Sequence, residues 1–437
     1  MNTMPEQRKK TGSLRLSRAK ELRESVLLTI CEHVPSKHAR LLHASQREWR
    51  ALLHWLDTSG LALYFLDRLT ELNLLEVLPA TVLSRLQQDV CNNTEKIGGM
   101  IAEQVHIQRR LHEAGLSYAV LKGFSLWPVS VPKLELRSQL DLDFLVAEES
   151  ASEARKILEE YGYRLNAISG GTWEFKANEG QFSSLRDLYK TGKSRSVDLH
   201  LEARGTKRPS LLSRSQSTMF HGVPMRVLSP VDLFLGQGLH FSKHVCSEFS
   251  RTAHLVEFRR HIIARRDDEA FWKQLRQCAV DDPQACLRLG AAIHLITVAT
   301  GEFAPGALTR WTSDRLPSGA RLWIERYGHR MALASFPGSK LYLLLQQELE
   351  FAGVPAKRSL RQALIPRRLP PAITHAKLGE TLPVRVHCFQ RQLNFIFFRL
   401  RFHLVEGFRY LCESILWRHY RNCSLHLEAQ TLQDARR

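Results

Sequence analysis

Three aspartates are spaced so that they could act together. Asp141 and Asp143 stand two residues apart in LDLDFLV, and Asp198 stands in SVDLHLE. Both runs read as strands, and side chains two apart on a strand share a face. Asp141 and Asp143 therefore project together, with Leu142 turned the other way. A bare carboxylate is costly to take out of water, and two side by side repel each other. A divalent cation relieves both problems. Mg²⁺ takes one or two carboxylates and leaves its other positions to phosphate and water. With Asp198 added from a second strand, the set can hold two metal ions, an arrangement suited to in-line phosphoryl displacement. The plainer alternative is a pair of strand-end aspartates salt-bridged to Arg137 or Lys122.

Upstream, LKGFSL (121–126) ends a short apolar run in glycine. Such a turn into a helix can present backbone N–H groups to phosphate. Gly123 allows close approach, Ser125 can add a hydrogen bond, and Lys122 and Arg137 can supply positive charge. His200 shares a strand face with Asp198 and can orient it or touch a phosphate; a half-exposed structural histidine is the equal alternative. His240 and His244 have helical i, i+4 spacing, but no HExxH motif accompanies them. Phe395, Phe398 and Phe402 fit the apolar face of a helix, with base stacking as the sharper alternative.

Taken in order, YAVLKGFSLW, LRSQLDLDFLV and SVDLHLEARG resemble the nucleotidyltransferase superfamily related to DNA polymerase β. The resemblance is nearest to an uncharacterised bacterial nucleotidyltransferase family. Its pattern is Leu-Lys-Gly, an Arg four residues before Asp-x-Asp, and a later Val-Asp-x-His. Arg137 stands four before Asp141, as that pattern asks, and the resemblance spans roughly residues 80–265. It implies that Asp141 and Asp143 bind Mg²⁺, that Asp198 is a third ligand or a base, and that Gly123 and Ser125 hold the triphosphate. It also implies transfer of a nucleoside monophosphate from an NTP such as ATP to an acceptor hydroxyl, with release of pyrophosphate. The acceptor is open: a small molecule, a protein side chain or an RNA. Two departures stand out: Phe124 separates Gly123 from Ser125, where many members have adjacent Gly-Ser or Gly-Gly, and the loop from Gly123 to Asp141 is long. In addition, Glu257 stands where the family usually shows Asp.

The elements that must position these residues follow from periodicity. Apolar spacings of three and four predict helices from about residue 18 to 117. Strands are expected at 118–122, LDLDFLV, TWEFKA (172–177), SLRDLYK (184–190) and SVDLHLEA (196–203), the last two joined as a hairpin by TGKS. A helix is expected at 147–162, and helices again from 228 to about 350. The fold class is α+β: a small mixed sheet of nucleotidyltransferase type between N-terminal and C-terminal helical regions. The segments are a basic flexible N-terminus (1–20), a helical region (21–117), the nucleotidyltransferase core (118–205), a helical domain (206–350), and a basic linker with a C-terminal amphipathic helix (351–437).

The chain carries 62 Lys and Arg against 44 Asp and Glu, a formal charge of +18. From Val354 onward the count is 15 against 5, so this end holds more than half of the excess. That balance favours anionic partners. Peripheral contact of the basic C-terminus with a membrane or with nucleic acid is one expectation; a solvated basic face is the other. The eight cysteines form no CxxC pair, which points to a reducing, cytoplasmic setting. The N-terminus lacks the apolar core of a signal peptide. Two further readings are a catalytically silent nucleotidyltransferase-fold binding protein and a basic nucleic-acid-binding protein.

Overall fold

Alternation in LDLDFLV places Leu142, Phe144 and Val146 on one side of a strand, β2 (Asp141–Ala147), with Asp141, Asp143 and Leu145 on the other. Around β2 the computed structural model builds a mixed sheet. The described residues are 4–32, 35–177, 185–192, 195–203, 209–249, 251–356, 358–365 and 381–434. Among them the sheet has seven strands: β1 (Tyr118–Leu121), β2, β3 (Arg164–Ser169), β4 (Thr172–Ala177), β5 (Arg195–Glu202), β6 (Gln216–Phe220) and β7 (Val223–Val227). Their order is β3-β4-β5-β2-β1-β7-β6. The β2–β5 and β1–β7 pairs are parallel and the others antiparallel.

Two compact units divide the chain. The first contains the sheet and comprises Met1–Phe241, Arg251–Cys278 and Glu302–Ala307. Its helices are α1 (Met4–Cys31), α2 (Pro35–Leu42), α3 (Gln46–Ser59), α4 (Ala62–Glu71), α5 (Ala80–Glu113), α6 (Ala151–Glu160), most of α7 (Pro230–Val245), α8 (Thr252–Ala264) and nearly all of α9 (Glu269–Ala279). Helix α1 runs through the segment read from sequence as an N-terminal tail. Ile97, Ile107 and Leu111 of α5 and Ala154, Ile157 and Leu158 of α6 cover the Leu142–Phe144–Val146 face. Burying each large side chain there contributes roughly 1.5–3 kcal/mol. The carboxylate-bearing face is covered only in part, by a small cluster of Ala119, Leu145, Leu212 and Leu228. That uneven coverage leaves one end of the face open for chemistry.

The second unit holds α10 (Pro283–Thr300), the second half of α11 (Gly306–Thr309), whose first half belongs to the first unit, α12 (Ser318–Ala332), α13 (Tyr342–Phe351), α14 (Leu360–Leu364) and α15 (Leu382–Asp434). Helix α15 is anchored by buried Phe402, Tyr410 and Trp417, and by Glu348, which accepts from Trp417 Nε1 at 3.1 Å and Arg421 Nε at 3.0 Å. No helix among the described residues is long and apolar enough to cross a membrane.

Three expectations need correction. SLRDLYK is not a strand: Leu185–Tyr189 form a 3₁₀ turn. Its buried Asp187 and Tyr189 imitate strand alternation, but the turn is tied to helices at Tyr189 and Leu188. The Tyr189 hydroxyl donates to Asp57 Oδ1 at 3.0 Å, and Lys96 Nζ donates to the Leu188 carbonyl at 2.7 Å. The antiparallel neighbour of β5 is therefore β4, and part of TGKS (193–194) lies outside the described residues. The sheet also continues past 205, because β6 and β7 form a two-residue hairpin at His221-Gly222. Both residues have positive φ, 47° and 79°, which favours this hairpin turn; His-Gly is a weaker signal than Asn-Gly. Of the phenylalanine stripe, Phe402 is buried but Phe398 is 38 % exposed. Much of the expected linker (366–380) lies outside the described residues.

Candidate active site

Strands β2 and β5 run parallel with Asp143 opposite Asp198, Asp141 opposite Ser196 and Leu145 opposite His200. Since alternate residues share a face, this register gathers Asp141, Asp143, Asp198 and His200 on one side of the sheet. The ligating atoms of Asp143, Asp198 and His200 all lie within 4.8 Å of one another. Asp141 sits one pleat away on the same strand.

Asp143 is the buried centre. Its Oδ1 accepts from Lys122 Nζ at 2.8 Å and meets His200 Nε2 at 2.8 Å. Burial alone would push its pKa up, but the hydrogen bonds from His200 and Lys122 hold it below the usual carboxylate range. An ionised carboxylate only accepts, so His200 donates from Nε2. When neutral, its Nδ1 then accepts from Thr172 Oγ1 at 3.2 Å. His200 therefore steadies Asp143, and it does so from the strand that carries Asp198.

The other two carboxylates differ. Burial, then the Asp143 and Asp141 charges, push Asp198 up to about 6. Burial and the Asp143 charge push Asp141 up as well. Among the described residues neither carboxylate has a hydrogen-bond partner. This is an oxygen-rich, mutually repelling set with free lone pairs, and its donor chemistry fits a hard divalent cation.

The turn after β1 sets Lys122. Lys122 and Gly123 have φ values of 48° and 41°, the left-handed region that side chains avoid. A Cβ on Gly123 would stand 2.5 Å from Gln139 Nε2, so only glycine fits. The same Gln139 nitrogen donates to the Asp141 carbonyl at 2.8 Å, and its oxygen accepts from Arg137 Nη1 at 3.0 Å. Ser125 is buried, and its hydroxyl donates to the Lys122 carbonyl at 2.7 Å. That hydroxyl braces the turn rather than standing free.

Arg137 does not point at the carboxylates as a bare charge. Its Nε donates to Glu257 Oε1 at 3.1 Å, and the Tyr64 hydroxyl donates to the same oxygen at 3.1 Å. Burial opposes the charge of Glu257, but Arg137 chiefly holds its carboxyl down to about 2. Arg251 adds a second half-buried cation and donates to Ser138 Oγ at 2.6 Å. Beside this network a pocket of about 190 Å³ is lined by Lys122, Arg137, Gln237 and Glu257 among leucines and Phe241. His240 stands at that pocket with its ring 5.2 Å from that of His254.

The structure thus brings Lys122, Asp141, Asp143, Asp198 and His200 together, with Gly123 and Ser125 shaping the turn and Arg137 one layer behind. Sequence reading missed Gln139, Tyr64, Thr172 and Arg251 as supports. Gln139 carried one faint signal, its place between Arg137 and Asp141. Tyr64 and Thr172 carried none, being distant in sequence.

Residues 45–295, more than half the chain, match the family described as uncharacterised nucleotidyltransferase. Comparison with curated proteins finds no match. Among solved structures, the solution structure of the antibiotic-resistance factor ANT(2'')-Ia matches at 13 % identity and TM-score 0.31, covering 42 % of this chain and 95 % of that one. The crystal structure of ANT(2'')-Ia with adenylyl-2''-tobramycin gives 13 % and 0.31, covering 42 % and 98 %. An antigenic nucleotidyltransferase-like protein from Paracoccidioides brasiliensis gives 13 % and 0.28, covering 45 % and 93 %.

Proposed function

As the chain belongs to the uncharacterised nucleotidyltransferase family, we propose that it transfers a nucleoside monophosphate from an NTP to an acceptor hydroxyl and releases pyrophosphate. The observation that carries this reading is the parallel β2–β5 register, which sets Asp143 opposite Asp198 with Asp141 on the same face. Asp141, Asp143 and Asp198 would hold Mg²⁺, one ion or two. When bound, the metal neutralises triphosphate charge and makes the acceptor hydroxyl more acidic.

The chain's own residues have distinct tasks. Asp198, opposite Asp143 on the neighbouring strand, can take the proton of the acceptor hydroxyl. Lys122 brings a cation to the same place and can move from Asp143 to a phosphate oxygen. Gly123 lets the backbone of the turn come close to phosphate, and Ser125 keeps the turn in shape. His200 keeps Asp143 ionised and aimed. Arg137, neutralised by Glu257, contributes field and rigidity more than direct contact. The pocket of about 190 Å³ beside Lys122 suits the uncharged part of a substrate. Function in a reducing, cytoplasmic setting is part of the same reading.

The test is calorimetric titration of each NTP with Mg²⁺ into wild type and into Asp141→Ala/Asp143→Ala. Magnesium-dependent binding that the double variant weakens supports the reading. Equal binding by both proteins would remove the metal from this pair. No NTP binding by wild type would remove the enzyme.

A further inference from the structure

Helix α15 carries a long apolar stripe that no described residue of the second unit covers. From Leu382 to Ile415 ten exposed apolar side chains step by four, three, four, four, three, four, four, three and four residues, and Val384, Phe398 and Val405 are exposed beside them. Leu382, Phe389, Phe397, Leu404, Phe408 and Ile415 are between 58 % and 74 % exposed. At 1.5 Å per residue the stripe is about 50 Å long. Soluble surfaces rarely expose contiguous apolar area on that scale. The buried anchors Phe402, Tyr410 and Trp417 lie on the other side of the helix.

Two observations say what covers it. The first is the period. The steps repeat every 11 residues, close to the natural pitch of a straight helix, so the stripe runs nearly parallel to the axis. A two-stranded left-handed coiled coil asks for seven-residue repeats. A straight stripe is made for a flat surface. The second is charge. Arg385, Arg401 and Arg418 are exposed along this helix, whereas Glu406 and Glu413 are not. Glu406 is engaged by Ser339 and Arg409, and Glu413 by Tyr327. Among the described side chains of α15 no acid is exposed.

We propose that α15 lies flat in the headgroup region of an anionic lipid bilayer, with the stripe inserted and the arginines on lipid phosphates and carboxylates. This is interfacial attachment, not spanning. It places the second unit at a membrane surface and does not depend on what the first unit catalyses.

The test is co-sedimentation of the full chain with vesicles of phosphatidylcholine alone and of phosphatidylcholine with about 30 mol % phosphatidylserine, at low and high salt. Wild type should sediment with the anionic vesicles and be released by salt. Phe397→Asp/Leu404→Asp/Phe408→Asp changes only exposed positions. It should keep its circular dichroism and lose vesicle binding by at least about tenfold. Arg385→Ala/Arg401→Ala/Arg418→Ala should weaken binding to anionic vesicles alone. The proposal is overturned if wild type ignores anionic vesicles, if it binds both compositions equally, or if the triple-aspartate variant binds as wild type does. It is also overturned if the stripe holds two chains together: a wild-type dimer that this variant splits, with no sedimentation by either protein.

Discussion

Glu257→Gln tests the buried network behind the carboxylates. Glu257 is 1 % exposed, and its Oε1 accepts from both Arg137 and Tyr64. Its carboxyl falls from 4.5 to about 2, which corresponds to about 3 kcal/mol of preference for the charged form in the folded state. The sign follows from linkage. A depressed carboxylate stabilises the fold fully above pH ~4.5 and loses that contribution as the pH drops toward ~2. Glutamine keeps the shape and an oxygen acceptor but leaves Arg137 and Arg251 without their shared counter-charge. Removing one partner of a buried ion pair typically costs 3–5 kcal/mol, in line with this figure. The variant should therefore be about 3 kcal/mol less stable at pH 7, and the gap should close as the pH falls through this window. The readout is hydrogen-exchange protection of peptides covering α8 and β2 under native conditions, which scores the unit that holds Glu257. Equal protection of the two proteins at pH 7 would refute the reasoning. So would a gap of the same size at pH 7 and pH 3.

Asp198→Asn should run the other way. A carboxyl raised from 3.8 to about 6 costs the fold stability as the pH climbs through that range. Allowing for its half exposure, the variant should gain ~1–2 kcal/mol at pH 7.5 by urea unfolding while losing magnesium-dependent NTP binding. A variant no more stable than wild type would contradict the repulsion described here. Gly123→Ala adds a Cβ 2.5 Å from Gln139 Nε2 at a φ of 41°, and should cost about 1–3 kcal/mol in thermal unfolding. Adding Gln139→Ala should restore part of that loss; full additivity of the two losses would show the clash is not shared. Lys122→Met removes the cation from Asp143. Calorimetry should show tighter binding of Mg²⁺ alone and weaker binding of the Mg²⁺–NTP complex, and no change in either would place Lys122 outside the site.

Much of the site was legible because strands write faces at a period of two. LDLDFLV and SVDLHLE each announced a side chain set, and the parallel register, which the sequence did not specify, joins them. Lys-Gly marked the turn for the same reason, since only glycine tolerates what Gln139 imposes there. The failures also have physical causes. SLRDLYK imitated a strand because buried residues two apart can equally be pinned to helices by side chains such as Tyr189. The β6–β7 hairpin was hidden by a turn whose first residue is histidine. The pairing of Arg137 with Glu257 was not legible, because the two lie 120 residues apart in sequence. Long-range ion pairs leave no local pattern.

The Lys122–Asp143 pair has a practical consequence for handling the protein. A site of three carboxylates that relied on a divalent ion for neutrality would loosen when the ion was stripped away. Here the buried member already carries an internal ammonium at 2.8 Å and an imidazole at the same distance. The fold should thus survive chelation, so that EDTA-treated protein keeps its melting temperature and can be reloaded with one metal at a time. Metal dependence would then show up as a property of ligand binding alone, cleanly separated from folding.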